Sequence, residues 1–384
     1  MRNILISSSA SPDHGSGISS YAKELTESLI RRNIKIHYFS PKPKNWSWIR
    51  DHNLGFLESD PTGDSRSICR NLLNYINEHK IDGVINNDNA YLQSVFPILN
   101  IPAISVGHLG NLIIASVACH LPEWSDYVIA ISNDMQRTFI NKYKVPIEKC
   151  PVVHNGLNKK ADINNFTSKK HKLKIVYSGG FDNRKGADLI KKALQIHANV
   201  WQAVELHWFG GHNQTIETAC KQNGNVKLHG RVAREKYLEE LSTADIFLLP
   251  SRREGCPMAM LEAMAYGVVP ISSDGIVAMR WLIDSGVEGY ICHLHNWPSQ
   301  LISVLHFLNK NKSALENMKR ATYNRFVSQH TMDRTTDTIL NLLNNPTVDR
   351  SKHREYFRCI KWHRIKNATF IDKVCWRTGY IRYD

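Results

Sequence analysis

The sequence predicts an α/β protein with two domains, each built on a parallel sheet that is covered by helices. Its 384 residues exceed the length at which a single hydrophobic core usually stops growing. Strand-like and helix-like segments alternate along both halves, and this order favours parallel strands joined by crossover helices. A polar, unpatterned stretch at 157–172 separates the two halves, so we expect domains at 1–156 and 173–330 with a linker between them.

Apolar runs and their period predict the individual elements. One apolar stripe at helical spacing, formed by Ile18, Ala22, Leu25 and Leu29, predicts the first helix. Later helices are expected near 298–309, 312–326 and 332–344. Strands are expected near 2–8, 34–40, 82–87, 102–107, 126–131 and 151–154 in the first half, and near 173–178, 204–209, 226–229, 244–249, 268–272 and 289–293 in the second.

Composition indicates a globular cytoplasmic protein. The chain is 42% hydrophobic and 22% charged, which argues against disorder. It contains no run of about 18 apolar residues, so we expect no membrane-spanning helix. The N-terminal apolar segment is too short for a signal peptide and fits a first strand. Eight scattered cysteines, with no Cys-x-x-Cys, indicate reduced thiols rather than a zinc or redox site.

The net charge of +14 is concentrated at the C-terminus. Residues 350–384 hold ten Lys or Arg residues against three acids, with aromatic residues interleaved. This pattern suits an anionic membrane surface, because basic clusters and aromatic rings both favour the interface. A helix packed on the first domain with a charged outer face is the competing interpretation. Nucleic acid is disfavoured, because no nucleic-acid-binding motif accompanies the charge.

The most informative segment runs from 251 to 267. An apolar strand at 244–249 leads into a short polar loop and then a helix. Pro257 suits the first helical position, where its missing N–H is no loss. Gly267 suits the left-handed position just past the helix end.

Groups around this helix start could hold a nucleotide diphosphate-sugar. The amides of Met258, Ala259 and Met260 are expected to point off the helix start, and that end attracts phosphate. Glu254 precedes the helix and Glu262 lies about 7.5 Å along it, so one carboxylate could face the sugar and the other the ribose. A surface loop followed by an amphipathic helix, with both glutamates solvated, is the alternative.

Two adjacent cations, Arg184 and Lys185, follow the first strand of the second domain and a glycine pair. Arg neutralises a diphosphate bidentately and Lys does so as a point charge, although a solvated basic turn would look the same. In the first domain, Gly15 and Gly17 follow the first strand and permit close approach of a ligand. They fail the dinucleotide fingerprint because Ser20 replaces its third glycine, so an ordinary turn is equally consistent.

Histidines at strand ends are further candidates. His108 follows the strand at 102–107, where most histidines are simply hydrogen-bonded polar residues. His293 and His295 are two residues apart, but we expect no carboxylate or cysteine beside them, and therefore no metal site. The sequence contains no Asp-x-Asp motif, which gives no support to a metal-dependent transferase design.

Together these motifs resemble retaining GT-B glycosyltransferases, glycosyltransferase family 4 in particular. The pattern Glu-Gly-x-Pro-x-x-x-x-Glu-Ala at 254–263 is similar to the family's paired-glutamate signature, and Arg184-Lys185 is similar to its diphosphate clamp. The resemblance covers most of residues 1–345. It implies two Rossmann-like domains facing a central cleft, with the 332–344 helix crossing back to the first domain.

The resemblance also implies roles for single residues. Gly15 and Gly17 would approach the donor phosphate and sugar, although Ser16 replaces the usual first glycine. His108, followed by the 126–132 segment, would face the transferred sugar together with Glu254. The implied set is catalytic His108, Arg184, Lys185 and Glu254, and donor-binding Gly15, Gly17, Arg184, Lys185, Val232, Glu254, Met258, Ala259, Met260 and Glu262, with Val232 near the nucleobase.

The expected function is metal-independent, retaining transfer of a sugar, such as a hexose, from a nucleotide diphosphate-sugar to a glycan or lipid-linked hydroxyl. Retention is expected because inversion needs a base for the acceptor, and no carboxylate in the sequence suggests itself for that role. Bacterial surface polysaccharide or lipopolysaccharide assembly is the expected setting, in the cytoplasm or peripherally on the inner face of the membrane. A GT-B sugar-nucleotide epimerase and a non-catalytic partner of another transferase are the alternatives.

Overall fold

The computed structural model describes most of the chain up to Lys352. The described ranges are 2–8, 12, 17–40, 46–58, 65–108, 112–158, 172–179, 183–196, 198–211, 214–222, 225–254, 256–276 and 278–352. Gly15, nearly all of the expected linker at 157–172, and the tail beyond residue 352 lie outside them.

The chain divides into two compact units. Unit 1 comprises Met1–Ile131, Met135–Val153 and Thr338–Asp384, and unit 2 comprises Ser132–Asp134 and His154–Asp337. The last segment of the chain therefore groups with unit 1.

Unit 1 contains a six-stranded parallel sheet with strand order β3-β2-β1-β4-β5-β6. Its strands are β1 Asn3–Ser8, β2 Lys35–Ser40, β3 Gly55–Glu58, β4 Gly83–Asn87, β5 Ala103–Gly107 and β6 Tyr127–Ala130. The helices between residues 17 and 143 are α1 Gly17–Arg31, α2 Ser47–Asp51, α3 Ser65–Glu78, α4 Ala90–Val95, α5 Leu112–Ala118 and α6 Asn133–Tyr143.

Unit 2 repeats this design, with strand order β12-β11-β10-β7-β8-β9 and all pairs parallel. Its strands are β7 Leu173–Ser178, β8 Val204–Phe209, β9 Val226–Gly230, β10 Ile246–Leu249, β11 Val269–Ser273 and β12 Tyr290–Cys292. The later helices are α7 Ala187–Leu194, α8 Ala198–Gln202, α9 Gln214–Lys221, α10 Arg234–Ser242, α11 Met258–Ala265, α12 Met279–Leu282, α13 Trp297–Lys310, α14 Lys312–Gln329 and α15 Met332–Asn344.

Both sheets place the first strand of the unit beside the fourth, which is the strand order of a doubly wound fold. The expected α/β architecture of two Rossmann-like halves is therefore confirmed. The inner strands are buried on both faces, as expected where helices cover a parallel sheet; β4, β5, β10 and β11 are buried throughout.

Two predictions about strands were wrong. The expected strand at 151–154 is only a bridge between Ala130 and Val152, since the chain leaves unit 1 after Val153 and has no length left to pair. The strand β3 was missed. It is a four-residue edge strand with only intermediate or exposed side chains, so it carries no strong apolar signal.

Large aromatic residues anchor the core of unit 2. Trp201, Trp208 and Trp297 are almost completely buried there. The indole N–H of Trp297 donates to the Ser272 carbonyl at 3.1 Å, and that of Trp201 donates to Ala193 at 2.9 Å. Truncating such a ring to alanine costs about 3–5 kcal/mol of stability, so these residues hold the framework that positions the loops at the sheet edge.

A buried carboxylate fastens the returning C-terminal segment within unit 1. Asp126 is fully buried and accepts the Ala103 amide at 2.7 Å and the amides of Thr347 and Val348 at 2.9 Å each. Arg350 completes this site with an ion pair to Asp126. Arg350 begins the basic segment expected to meet membrane, so at least this cation is a structural anchor instead.

Among the described helices, none combines the length and the apolar character needed to cross a lipid bilayer.

Candidate functional site

The loops that follow β7 and β10 meet at one edge of unit 2. These strands are neighbours in the sheet, yet the chain leaves them in opposite directions, to β8 and to β11. Ligands of doubly wound sheets bind at such a switch point, outside the carboxyl ends of the strands. The described residues 183–186 and 250–254 therefore form a candidate binding site.

Both predicted cations lie at this point. Asn183–Lys185 form a single 3-10 turn, and the Lys185 ammonium lies 2.5 Å from one oxygen of Glu254. The Arg184 guanidinium lies 3.7 Å from the other oxygen. The Glu254 side chain is only 9% exposed, whereas those of Arg184 and Lys185 are 44% and 27% exposed. Two cations thus converge on a buried carboxylate while remaining open to an anion from solvent.

The helix start differs from its prediction in detail. Pro257 is the N-cap in extended conformation rather than the first helical residue, and α11 begins at Met258. The Met260 amide donates to the Pro257 carbonyl at 2.9 Å, so it is not available to a phosphate, contrary to expectation. The amides of Met258 and Ala259, in the first turn, have no acceptor within the helix and remain candidates. Gly267 has φ of +65°, which confirms the predicted left-handed position.

Glu262 is placed by α11 and held by an arginine that sequence reasoning missed. It is 5% exposed, and its carboxylate accepts from the Arg234 guanidinium at 2.6 Å. Arg234 is the first residue of α10, which follows β9 in the chain. No local pattern marks this pair, because the two residues are 28 positions apart and meet only through the sheet topology.

Val232 lies in the turn between β9 and α10, three residues after His229, whose ring belongs to a stacked set. The rings of Phe209 and His229 are stacked with centroids 4.3 Å apart and an interplanar angle of 10°. His229 also hydrogen-bonds His207 at 3.0 Å between ring nitrogens. Burial lowers the pKa of both histidines, which favours the neutral form of each ring.

In unit 1, His108 follows β5 and is buried. Its Nε2 lies 3.0 Å from the Asn87 side-chain oxygen, and its ring packs edge-on against Tyr21 with centroids 4.6 Å apart. Burial lowers the pKa of His108 to about 3, so the ring is neutral at physiological pH. His108 can therefore donate or accept a hydrogen bond, but it cannot supply positive charge. Gly17, the first residue of α1, is exposed.

Asp88 is a second residue that sequence reasoning overlooked. It follows β4, is 3% exposed and has a left-handed φ of +55°. Within the described ranges, neither carboxyl oxygen has a hydrogen-bond partner of normal geometry, although the nearby His108 amide partly opposes the effect of burial. Burial raises the pKa of Asp88 well above its usual value. The polar run Asn86–Asn89, which spans the end of β4, marks this position in the sequence but not its burial.

The histidine pair at the end of β12 does have a carboxylate neighbour, contrary to expectation. Asp274 lies 2.9 Å from the Nδ1 atom of His293 and accepts the Leu294 amide at 2.8 Å. The rings of His293 and His295 are 5.7 Å apart. Even so, the described residues include no group of three His, Cys, Asp or Glu side chains arranged to hold a metal ion.

Sequence comparisons match segments of both units to glycosyltransferase families. Residues 158–325 match the sequence family described as glycosyl transferases group 1, and residues 15–160 match Glycosyltransferase Family 4. The O-antigen biosynthesis glycosyltransferase WclY of Escherichia coli is 25% identical over 58% of this chain and 64% of its own. The capsular polysaccharide biosynthesis glycosyltransferase CapH of Staphylococcus aureus is 28% identical over 39% of this chain and 43% of its own. The chain thus spans less than two thirds of these two relatives.

A solved structure is similar over most of this chain. HepE of Anabaena, in complex with UDP, superposes with a TM-score of 0.71 over 90% of this chain and 100% of its own, at 15% identity. At this identity the likeness shows the fold. Residues 15–160 and 158–325 thus each match a glycosyltransferase family model, and the two units share the fold of HepE.

Proposed function

We propose that this protein is a metal-independent, retaining glycosyltransferase that moves a hexosyl group from a nucleoside diphosphate-sugar to a hydroxyl acceptor. The observation that carries the proposal is the convergence of Arg184 and Lys185 on Glu254 at the switch point of unit 2. When the sugar is transferred, the nucleoside diphosphate is the leaving group and develops negative charge. Fixed positive charge beside the diphosphate stabilises that charge and so speeds its departure. A turn presenting two accessible cations beside a helix start supplies it.

In this mechanism Arg184 and Lys185 hold the diphosphate, with the amides of Met258 and Ala259 as further donors. Glu254 holds the two cations in position by ion pairing. When the donor phosphates bind these cations, Glu254 orients a hydroxyl of the donor sugar. The protein contributes position and charge, so the departing phosphate itself can accept the proton of the acceptor. Fixed cations replace a metal ion, and no cofactor is required.

The rest of the donor extends along unit 2. Glu262 accepts hydrogen bonds from the ribose hydroxyls, because it is a buried carboxylate in α11, the helix whose first amides bind the phosphates. Val232 and the Phe209–His229 rings lie at the end of β9, the place for the nucleobase. UDP is the first nucleotide to test, because the structurally similar HepE was solved with it.

A polysaccharide acceptor is supported by the relatives. WclY and CapH are named for O-antigen and capsular polysaccharide biosynthesis. We propose a glycan or lipid-linked hydroxyl in bacterial surface polysaccharide or lipopolysaccharide assembly as the acceptor, with the protein in the cytoplasm. Residues 353–384 would bind the anionic inner face of the membrane. Deletion after Lys352, which spares the Arg350 anchor, should abolish binding to phosphatidylglycerol vesicles and leave the unfolding midpoint unchanged.

A transfer assay tests the proposed reaction. The full chain would be incubated in EDTA with UDP-, GDP- or ADP-sugars and a lipid extract from polysaccharide-producing bacteria. Transfer of labelled sugar to the lipid fraction, with the anomeric configuration kept in the product by NMR, is the expected result. Activity that disappears in EDTA and returns with Mg²⁺ or Mn²⁺ would contradict the assigned role of the cations, and an inverted product would contradict retention.

One observation favours a second candidate, a sugar-nucleotide epimerase. Asp88 is a buried carboxyl group of raised pKa beside His108, and epimerisation needs such a group to move protons at the sugar ring. Asp88 is also a carboxylate that an inverting transferase could use as its base. The proposal of retention therefore depends on the departing phosphate accepting the acceptor's proton, and the NMR measurement above tests it. Product analysis without acceptor separates the candidates, because an epimerase converts the donor sugar to its epimer and a transferase does not.

A further inference from the structure

Arg252 joins the two loops that form the proposed diphosphate site. We call residues 183–186 the clamp loop and residues 250–254 the glutamate loop. The Arg252 amide donates to the Arg184 carbonyl at 2.7 Å, and its guanidinium donates to the Asn183 carbonyl. Both loops are therefore connected through this one residue, by its backbone and by its side chain.

Asp188 fixes the direction of that side chain. It lies in the first turn of α7, directly after the clamp loop, and its two oxygens accept two hydrogen bonds from Arg252 at 2.8 Å each. Such a bidentate pair has one planar geometry, which a lysine cannot reproduce. The pair therefore sets an angle as well as a distance between the two loops.

Other contacts restrict the clamp loop and the glutamate loop on both sides of Arg252. Gly186 has φ of +73°, and a Cβ atom there would lie 2.1 Å from the Pro250 carbonyl oxygen, so the loops already touch at the backbone. Ser273, on β11, donates to the Ser251 carbonyl and holds the other side of the glutamate loop. A change at Arg252 would therefore move the clamp loop relative to Glu254 rather than relax the whole region.

The pair is not part of the hydrophobic core. The side chains of Arg252 and Asp188 are 36% and 31% exposed, and an ion pair so open to water adds little to stability. The Arg252–Asp188 pair therefore acts mainly by fixing the relative position of the two loops. The cations of the clamp loop stand 2.5 Å and 3.7 Å from Glu254 only while the two loops keep their register.

We propose that the Arg252–Asp188 ion pair is a positioning device that holds Arg184 and Lys185 in register with Glu254 for the donor diphosphate. This inference rests on the proposed function of the site. Neither residue needs to touch the donor. The pair preorganises the cations, so that no binding energy is used to assemble the clamp.

Calorimetric titration of the full-length protein with UDP and with uridine tests this role. The variants are Arg252→Lys, Asp188→Asn and the double variant. Asp284→Asn is the matched control, because Asp284 also pairs with an arginine, Arg325, but belongs to neither loop and precedes the edge strand β12. We expect each single variant to bind UDP about tenfold more weakly, about 1.4 kcal/mol, and the double variant to lose no more than the singles. Uridine affinity and the control should stay within about twofold of wild type.

Each other outcome overturns the inference in a recognisable way. Unchanged UDP affinity in both single variants would show that the pair has no role in the site. A loss in Arg252→Lys but not in Asp188→Asn would assign Arg252 a direct phosphate contact instead. An equal loss of uridine affinity would indicate general damage to unit 2. If the wild-type protein binds none of UDP, GDP and ADP, both the proposed function and this inference fail. If the wild-type protein binds UDP and the single variants bind it equally well, only this inference fails.

Discussion

Replacing Glu262 by glutamine should weaken nucleotide binding without unfolding unit 2. The substitution keeps the size of a side chain that is only 5% exposed, but removes the charge expected to accept the ribose hydroxyls. Glutamine can still accept a neutral hydrogen bond, so the loss is the difference between about 1.5–3 kcal/mol for a charged hydrogen bond and about 0.5–1.5 kcal/mol for a neutral one. That difference, about 1–1.5 kcal/mol, corresponds to about a 5- to 13-fold loss of affinity. Arg234 loses its partner in this variant, but its side chain is 43% exposed and water can replace the carboxylate at little cost.

Titration of the nucleoside diphosphate against wild type and Glu262→Gln measures this loss. The control is Glu235→Gln, an exposed acid next to Arg234 in the first turn of α10, which should bind as wild type does. Both variants should unfold within a few degrees of wild type. Equal affinity in wild type and Glu262→Gln, with the protein folded, would remove Glu262 from the nucleotide site.

Three further predictions concern the framework. Asp126→Asn should destabilise unit 1 by about 3–5 kcal/mol in urea unfolding, because Arg350 is left as a buried charge without its partner; a change under about 1 kcal/mol would argue against the anchor. Gly186→Ala should lower both the unfolding midpoint and the affinity for UDP, because the new Cβ atom would clash with the Pro250 carbonyl and the left-handed backbone would cost at least about 1–2 kcal/mol more. A variant that behaves as wild type would refute this tight contact. Burial lowers the pKa of His330 to about 3, so the folded protein keeps this ring neutral. Its contribution to the free energy of unfolding is full above about pH 6.5 and is lost as the pH falls towards 3. His330→Gln should therefore shrink the difference in unfolding free energy between pH 7.5 and 5.5 by about 1.4 kcal/mol, and an unchanged difference would contradict the low pKa.

The part of the site that the sequence predicts is local. Arg184, Lys185 and Glu254 each follow a buried strand and precede a helix, so their place at the sheet edge follows from the order of elements along the chain. Arg234 and Arg252 could not be found in this way. Each acts through a contact with a residue far away in the sequence, and only the strand order brings the partners together.

The same distinction holds for the fold. Strands buried on both faces, such as β10, were predicted because an apolar run is a strong signal. The edge strand β3 and the single bridge at Val152 depend on how far a neighbouring strand extends, which no local pattern encodes. Asp88 illustrates a third limit, since its burial and positive φ give it meaning and neither is visible in a run of asparagines.

The measurement that tests the central claim most directly is a calorimetric titration of UDP, GDP and ADP into the full chain in the presence of EDTA. It would be made on wild type and on Lys185→Met. Wild type should bind at least one nucleoside diphosphate without metal, and Lys185→Met should bind it about 10- to 150-fold more weakly, because one charged hydrogen bond is lost. Binding that requires a divalent cation, or equal affinity in the two proteins, would contradict a diphosphate site built from the cations of unit 2.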